Sequence, residues 1–313
     1  MMAFPSLLQR AEYATGLLVR SIKINGKYLL VERCTLNQVQ DIDTPTQYIQ
    51  GGPITSISEF NSKKITGEIT FPVRIDYDGN LDPATKILLQ HAERPTTALT
   101  IDTNHLLMHY SITAEDIATD NNELLKITTA VISSLTISAA PGQEIKITAT
   151  FEGMLDSVVA SEYVVPDDDD YLGRALTWGD FSVSREESSM RNVNDASVTI
   201  TNSIETPSFL IAYPSEIRND QVGLIGVKGI KWTGKVGELV RMGAELDTFI
   251  HGGWMLYENL TMSFGPINAN FNNPLFKITQ TPLTASVLTR QIDWTALTNP
   301  ARPLTAGGLI TFT

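Results

Sequence analysis

The 313-residue chain holds only four histidines, His91, His105, His109 and His251, and two of them lie four positions apart. On a helix that spacing puts both imidazoles on one face, where they could share a metal ion. HLLMHYSIT, however, alternates as a strand does, and two strand positions four apart are about 13 Å distant, too far to hold one ion. Asp167 to Asp170 gather four carboxylates, but a calcium loop needs spaced oxygen ligands and a turn glycine, whereas adjacent like charges favour an extended, solvated segment. GKVGE (Gly234 to Glu238) is similar to the start of a phosphate cradle but lacks the full Gly-x4-Gly-Lys-Ser/Thr spacing, and it reads as the beginning of a helix. Trp178, Trp232, Trp254 and Trp294 all lie in the second half. Scattered aromatics can form a sugar-binding face, and they are equally ordinary β-core material. Cys34 follows Arg33, a neighbour that can lower a thiol pKa, yet a lone cysteine at a strand end reads as a small hydrophobe. No nucleophile-elbow pattern is present, so neither a catalytic set, a cofactor nor a metal is expected.

Composition narrows the classes further. Charged residues make up 19% and hydrophobic ones 42% of a chain with net charge -12, which suits a globular protein and excludes a grip on nucleic acid through clustered Lys and Arg. With a single cysteine no intramolecular disulfide can form. The opening MMAFPSLLQRAEYATGLLV lacks a basic region followed by a sustained apolar one, which leads us to expect synthesis in the cytoplasm. No run of about 18 apolar residues is present, so no membrane-spanning helix is expected.

The elements that would carry any site are mostly strands. SSLTISAAPGQEIKITATFEGML (Ser133 to Leu155) alternates on both sides of Pro141-Gly142, the pattern of an antiparallel hairpin with one buried face. Val19 to Glu32 predicts another hairpin about Asn25-Gly26, and Lys63 to Asn80 a strand. Asp82-Pro83 opens a helix, with Asp as cap and Pro at the first helical position. Residues from Asn37 to Asn61 alternate only brokenly and read as a long excursion that becomes β-structured under a partner's cover. Beyond the acidic stretch strands return, with a second helix predicted over Val236 to Ile250 from Leu239, Met242, Leu246 and Phe249. Both halves thus run strands, helix, strands, which suggests an internal duplication: a first β domain over residues 1–163, an acidic linker over 164–180 and a second β domain over 181–313.

The hairpin SIKINGKYLL, the long loop QVQDIDTPTQYIQGGPIT, the helix DPATKILLQHA and the closing ISSLTISAAPGQEIKITATFEGM together resemble bacteriophage tail tube proteins, with FSVSREESSMRNVNDASVTITNSIE similar in the second half. The resemblance implies a mainly β, antiparallel sandwich or barrel-like fold with one helix per half. It also implies a structural virion protein of the tail that assembles with itself, as rings of three or six chains stacked into a tube, and with other tail proteins. Viral DNA would pass through the lumen without specific binding. The family's long loop contacts the neighbouring ring, which here falls on Asn37, Gln40, Asp43, Tyr48, Gly51, Gly52 and Pro53. An acidic lumen that repels phosphates would suit the net charge. Another tail component of the same fold, a baseplate-proximal or terminator ring, fits the same residues, and a carbohydrate-binding β-sandwich built on the tryptophans is the alternative from a different class.

Overall fold

The computed structural model describes residues 14–39, 42–43, 46–49, 52–55, 58–59, 64–95, 98–109, 122–160, 173–185, 188–190, 192–205, 226–239, 259–271, 274–280, 289–297 and 310–312. Strands β1 (Ala14–Ile24) and β2 (Lys27–Leu29) make the expected first hairpin. Asn25 and Gly26 between them have φ of 47° and 78°, the left-handed pair whose twist matches the strands it joins.

Next come β3 (Arg33–Val39), the short strands β4 (Ile42–Asp43), β5 (Thr46–Ile49), β6 (Gly52–Thr55) and β7 (Ser58–Glu59), and then β8 (Lys64–Pro72) and β9 (Arg74–Ile75). Helix α1 (Pro83–Glu93) begins where the sequence predicts, because Asp82 accepts hydrogen bonds from the Thr85 amide and hydroxyl, both at 2.8 Å. Strands β10 (Leu99–His109), β11 (Asn122–Ala139) and β12 (Lys146–Ala160) complete the first half.

The second half contributes β13 (Arg174–Ala175), β14 (Phe181–Arg185), β15 (Ser188–Ser189), β16 (Val193–Glu205), β17 (Gly226–Leu239), β18 (Leu260–Phe264), β19 (Ile267–Phe271), β20 (Leu275–Gln280), β21 (Thr289–Leu297) and β22 (Ile310–Phe312). The helix predicted over Val236 to Ile250 is corrected at its start. Val236 to Leu239, and with them GKVGE, belong to β17, held by ladders to β16 on one side and β21 on the other. Residues 240–250 lie outside the described residues.

One sheet joins the halves in the order β3-β8-β12-β11-β16-β17-β21-β20, every neighbouring pair antiparallel. β11 is long enough to serve twice: its first part pairs with β10, which leads to β1 and β2, and its last part pairs with β16. Asn202 of β16 fastens the junction, donating to the carbonyls of Ala92 on α1 at 3.1 Å and Ile132 on β11 at 2.8 Å. Residues 173–180, within the span read as linker, lie against the first half: β13 pairs with β9, and Leu176, fully buried, exchanges backbone bonds with Val73 and Ile145.

The apolar side of this sheet is covered differently in each half. Ile69, Leu135, Ile137, Ile147 and Phe151 are buried on the first half's side, where α1 contributes Leu88 and Leu89. In the second half the sheet β15-β14-β18-β19-β22 brings Met262, Phe264 and Phe271 to the same core as Trp232 and Trp294. Phe271 packs 4.0 Å from Trp294 and 5.9 Å from Trp232, centroid to centroid. Each such fully buried side chain contributes about 1.5–3 kcal/mol of transfer free energy.

Candidate functional site

Strand residues alternate between faces, so burying one side of the long sheet turns the intervening positions outward. Those positions fall into register across the sheet. Arg33, Thr70, Thr148, Thr136, Thr199, Thr233, Thr295 and Leu275 form one continuous rung, six threonines on six consecutive strands. Hydroxyls bond along it, Thr70 to Thr148 at 3.2 Å and Thr136 to Thr199 at 2.9 Å, the latter across the junction of the halves. Neighbouring rungs continue the theme with Thr35, Glu68, Thr150, Ser134, Thr201 and Lys231, and with Lys146, Ser138, Ser197, Lys235, Asp293 and Lys277.

Charge on this face is nearly balanced. Arg33, Lys146, Lys231, Lys235 and Lys277 stand against Glu68, Glu152, Asp195 and Asp293, and Lys235 binds Asp195 at 2.9 Å. The net charge of -12 is therefore not concentrated here among the described residues. This face is a surface of hydroxyls and paired charges, without a cluster of cations to hold phosphate. The threonine rung was missed in the sequence, where each threonine shows only as a polar residue in its own strand.

Two features border this face. The first is a pair of open edges: among the described residues β3 pairs only with β8, and β20 only with β21. With seven antiparallel steps between them, β3 and β20 run in opposite directions. Unpaired edges offer a row of donors and acceptors to any strand that meets them.

The second is a hairpin arm rising from β3 and β8. β4 pairs with β7, Asp43 opposite Ser58, and β5 with β6, Tyr48 opposite Pro53 and Ile49 opposite Gly52. Among the described residues these four strands pair only with one another. Of the expected contact residues, Asp43, Tyr48, Gly52 and Pro53 thus lie on the arm, and Asn37 is at its root in β3 opposite Thr66. Gln40 and Gly51 lie outside the described residues.

The residues that suggested chemistry are placed elsewhere. His105 and His109 are on β10 opposite Val19 and Ala14, as the strand reading requires. His91 is buried on α1, and His251 and Asp167 to Asp170 lie outside the described residues. Among the described residues no group of three or more His, Cys, Asp or Glu could hold a metal ion, and no helix is long and apolar enough to cross a membrane. Trp232 and Trp294 are core residues at 1% and 2% exposure, so they offer no sugar platform. Trp254 lies outside the described residues, and Trp178 packs on Phe181 at 5.1 Å. Burial pushes the Cys34 thiol up to about 11, which keeps it protonated and unreactive at neutral pH.

Comparison with known proteins adds one match. The family model described as phage tail tube protein covers residues 44–224, more than half of the chain, from the arm to the segment between β16 and β17. No curated protein matches.

Proposed function

The chain belongs to the phage tail tube protein family and is a structural protein of the virion tail, and from that premise we propose that its copies close into rings around a pore through which the genome leaves. The observation that carries this reading is the long sheet with two open edges. Its strands alternate in direction and their number is even, so β20 of one copy meets β3 of the next antiparallel, and ring closure removes both exposed edges at once.

The face that lines the pore is the polar one, since its opposite is occupied by the core. DNA slides past hydroxyls and paired charges that offer no cation cluster to release its counterions, so passage needs no specific binding. Four sheet strands come from each half, β3-β8-β12-β11 and β16-β17-β21-β20, which makes each half one unit and three chains a ring of six units. Twenty-four strands at the usual spacing and tilt enclose about 45 Å between backbones, whereas two copies would enclose about 30 Å before side chains narrow it. The arm, whose strands pair only with one another among the described residues, reaches the neighbouring ring and makes rings stack.

Negative-stain electron microscopy of concentrated protein tests this directly. Hollow rings with three-fold averages and stacked tubes are expected. Replacing residues 42–59 by a tight turn should leave rings that no longer stack. Rings of six chains would refute the count, tubes from the shortened protein would refute the arm's role, and protein that forms no rings at any concentration would refute the reading.

A further inference from the structure

The two halves share more than strand order: their central ladders match residue for residue. β8 and β12 form nine pairs, from Lys64 opposite Met154 to Pro72 opposite Lys146. β17 and β21 form nine as well, from Lys231 opposite Leu297 to Leu239 opposite Thr289. Laid over one another, KITGEITFP and KWTGKVGEL share Lys, Thr and Gly at the same places. In each, the shared glycine faces an aromatic ring, Gly67 opposite Phe151 and Gly234 opposite Trp294.

The flanking strands keep step. Leu36 stands opposite Gly67 as Val198 stands opposite Gly234, so β3 corresponds to β16. Ser134 to Ile137 pair with Thr150 to Ile147 as Lys277 to Gln280 pair with Asp293 to Arg290, so β11 corresponds to β20. The joint between β11 and β16 is therefore a joint between equivalent units, already made once inside the chain, with Ser134 opposite Thr201, Leu135 opposite Ile200, Thr136 opposite Thr199 and Ile137 opposite Val198.

Resting on the ring reading above, we infer that β20 of one copy pairs with β3 of the next in this same register. Lys277 then stands opposite Val39, Ile278 opposite Gln38, Thr279 opposite Asn37 and Gln280 opposite Leu36. Asn37 becomes a contact within the ring, at the root of an arm that leaves it.

An independent geometric check supports the register. The threonine rung leads from Arg33 to Thr199, four residues beyond Asp195, the counterpart of Arg33. It then leads to Leu275, which the inferred joint sets opposite residue 41, eight residues beyond Arg33. Eight residues of advance over eight strands is about 26 Å along against about 38 Å across, a strand tilt of about 35°, which lies in the range of closed barrels. Setting Leu275 opposite Arg33 instead would leave the strands untilted, a geometry that barrels do not adopt.

Cysteine cross-linking separates the registers. In a Cys34→Ala background, Thr279→Cys with Asn37→Cys should, on oxidation of assembled protein, give covalent dimers and then trimers on a denaturing gel, with nothing larger. Arg33→Cys with Leu275→Cys, the untilted alternative, should give only monomer. Lys277→Cys with Val39→Cys is a second reporter should the first pair disturb folding. Linking through Arg33 and Leu275, or rings seen by microscopy that link through none of the inferred pairs, would overturn the register and leave the ring reading standing. Absence of rings in the unsubstituted protein would overturn both.

Discussion

The two halves present equivalent sheets on unlike supports. The first is backed by a helix, beside the branch of the same sheet that runs from β11 through β10 to β1 and β2; behind the second lies a separate sheet of five short strands around an aromatic cluster. Both halves keep a nine-pair ladder with a glycine opposite an aromatic ring, and what diverges is the backing. The divergence reaches single rungs. Phe71 faces Ile147 in the first half, both fully buried. Their counterparts in the second are Glu238 and Arg290, an ion pair of 2.7 Å with side chains only 9% and 7% exposed.

That rung gives the largest expected effect. Glu238→Ala strands a buried guanidinium and should cost about 3–5 kcal/mol in denaturant unfolding, while a buried pair exchanged whole for apolar side chains is often neutral or stabilising. Glu238→Phe combined with Arg290→Ile, which copies the first half into the second, should therefore match or exceed the unsubstituted protein. A double variant as unstable as the single one would show that the two backings do not accept the same rung.

The glycines sharpen the comparison at a smaller scale. A Cβ on Gly67 would meet the far end of the Phe151 ring and a methyl of Leu36, whereas one on Gly234 would strike the Trp294 indole and the backbone carbonyl of Ser197. Side-chain ends can give way and a backbone held in two ladders cannot. Gly234→Ala should cost about 2–3 kcal/mol and Gly67→Ala nearer 1, read from the same unfolding curves. Equal losses would mean that the second half yields as readily as the first.

The smallest effect falls where the halves meet. Arg174 binds Asp180 at 2.6 Å and, with bonds from Thr177, holds the carboxyl down at about 2. A depressed folded pKa means stability that is present above the unfolded value of about 3.9 and is lost as pH falls through the folded one. Unfolding followed from pH 5 to pH 2 should show this acid limb, and Asp180→Asn should flatten it while costing under about 1 kcal/mol at neutral pH.

How much of this was legible depended on how local the cause is. Asn25-Gly26 and Asp82-Pro83 act within four residues, and both appear where the sequence places them. The strand course of β17 was not legible past Gly234, because Val236 and Leu239 satisfy helical spacing as well as strand alternation, and only the ladders to β16 and β21 decide between them. The threonine rung and the equivalence of the two ladders needed register across the sheet, which no single strand encodes. The arm showed in sequence as broken alternation around Gly51-Gly52-Pro53, but its nested pairing did not.

The junction of β11 with β16 has one more consequence, for the order of events. Because that joint closes within a single chain, its partners meet at an effective concentration no free subunit reaches, and half the contacts of the proposed six-unit ring exist before two copies collide. Two encounters and one closure then finish what six separate halves would need five encounters and one closure to reach. The ring proposed above would therefore nucleate at lower protein concentration than one built from separate halves, with three seams between copies.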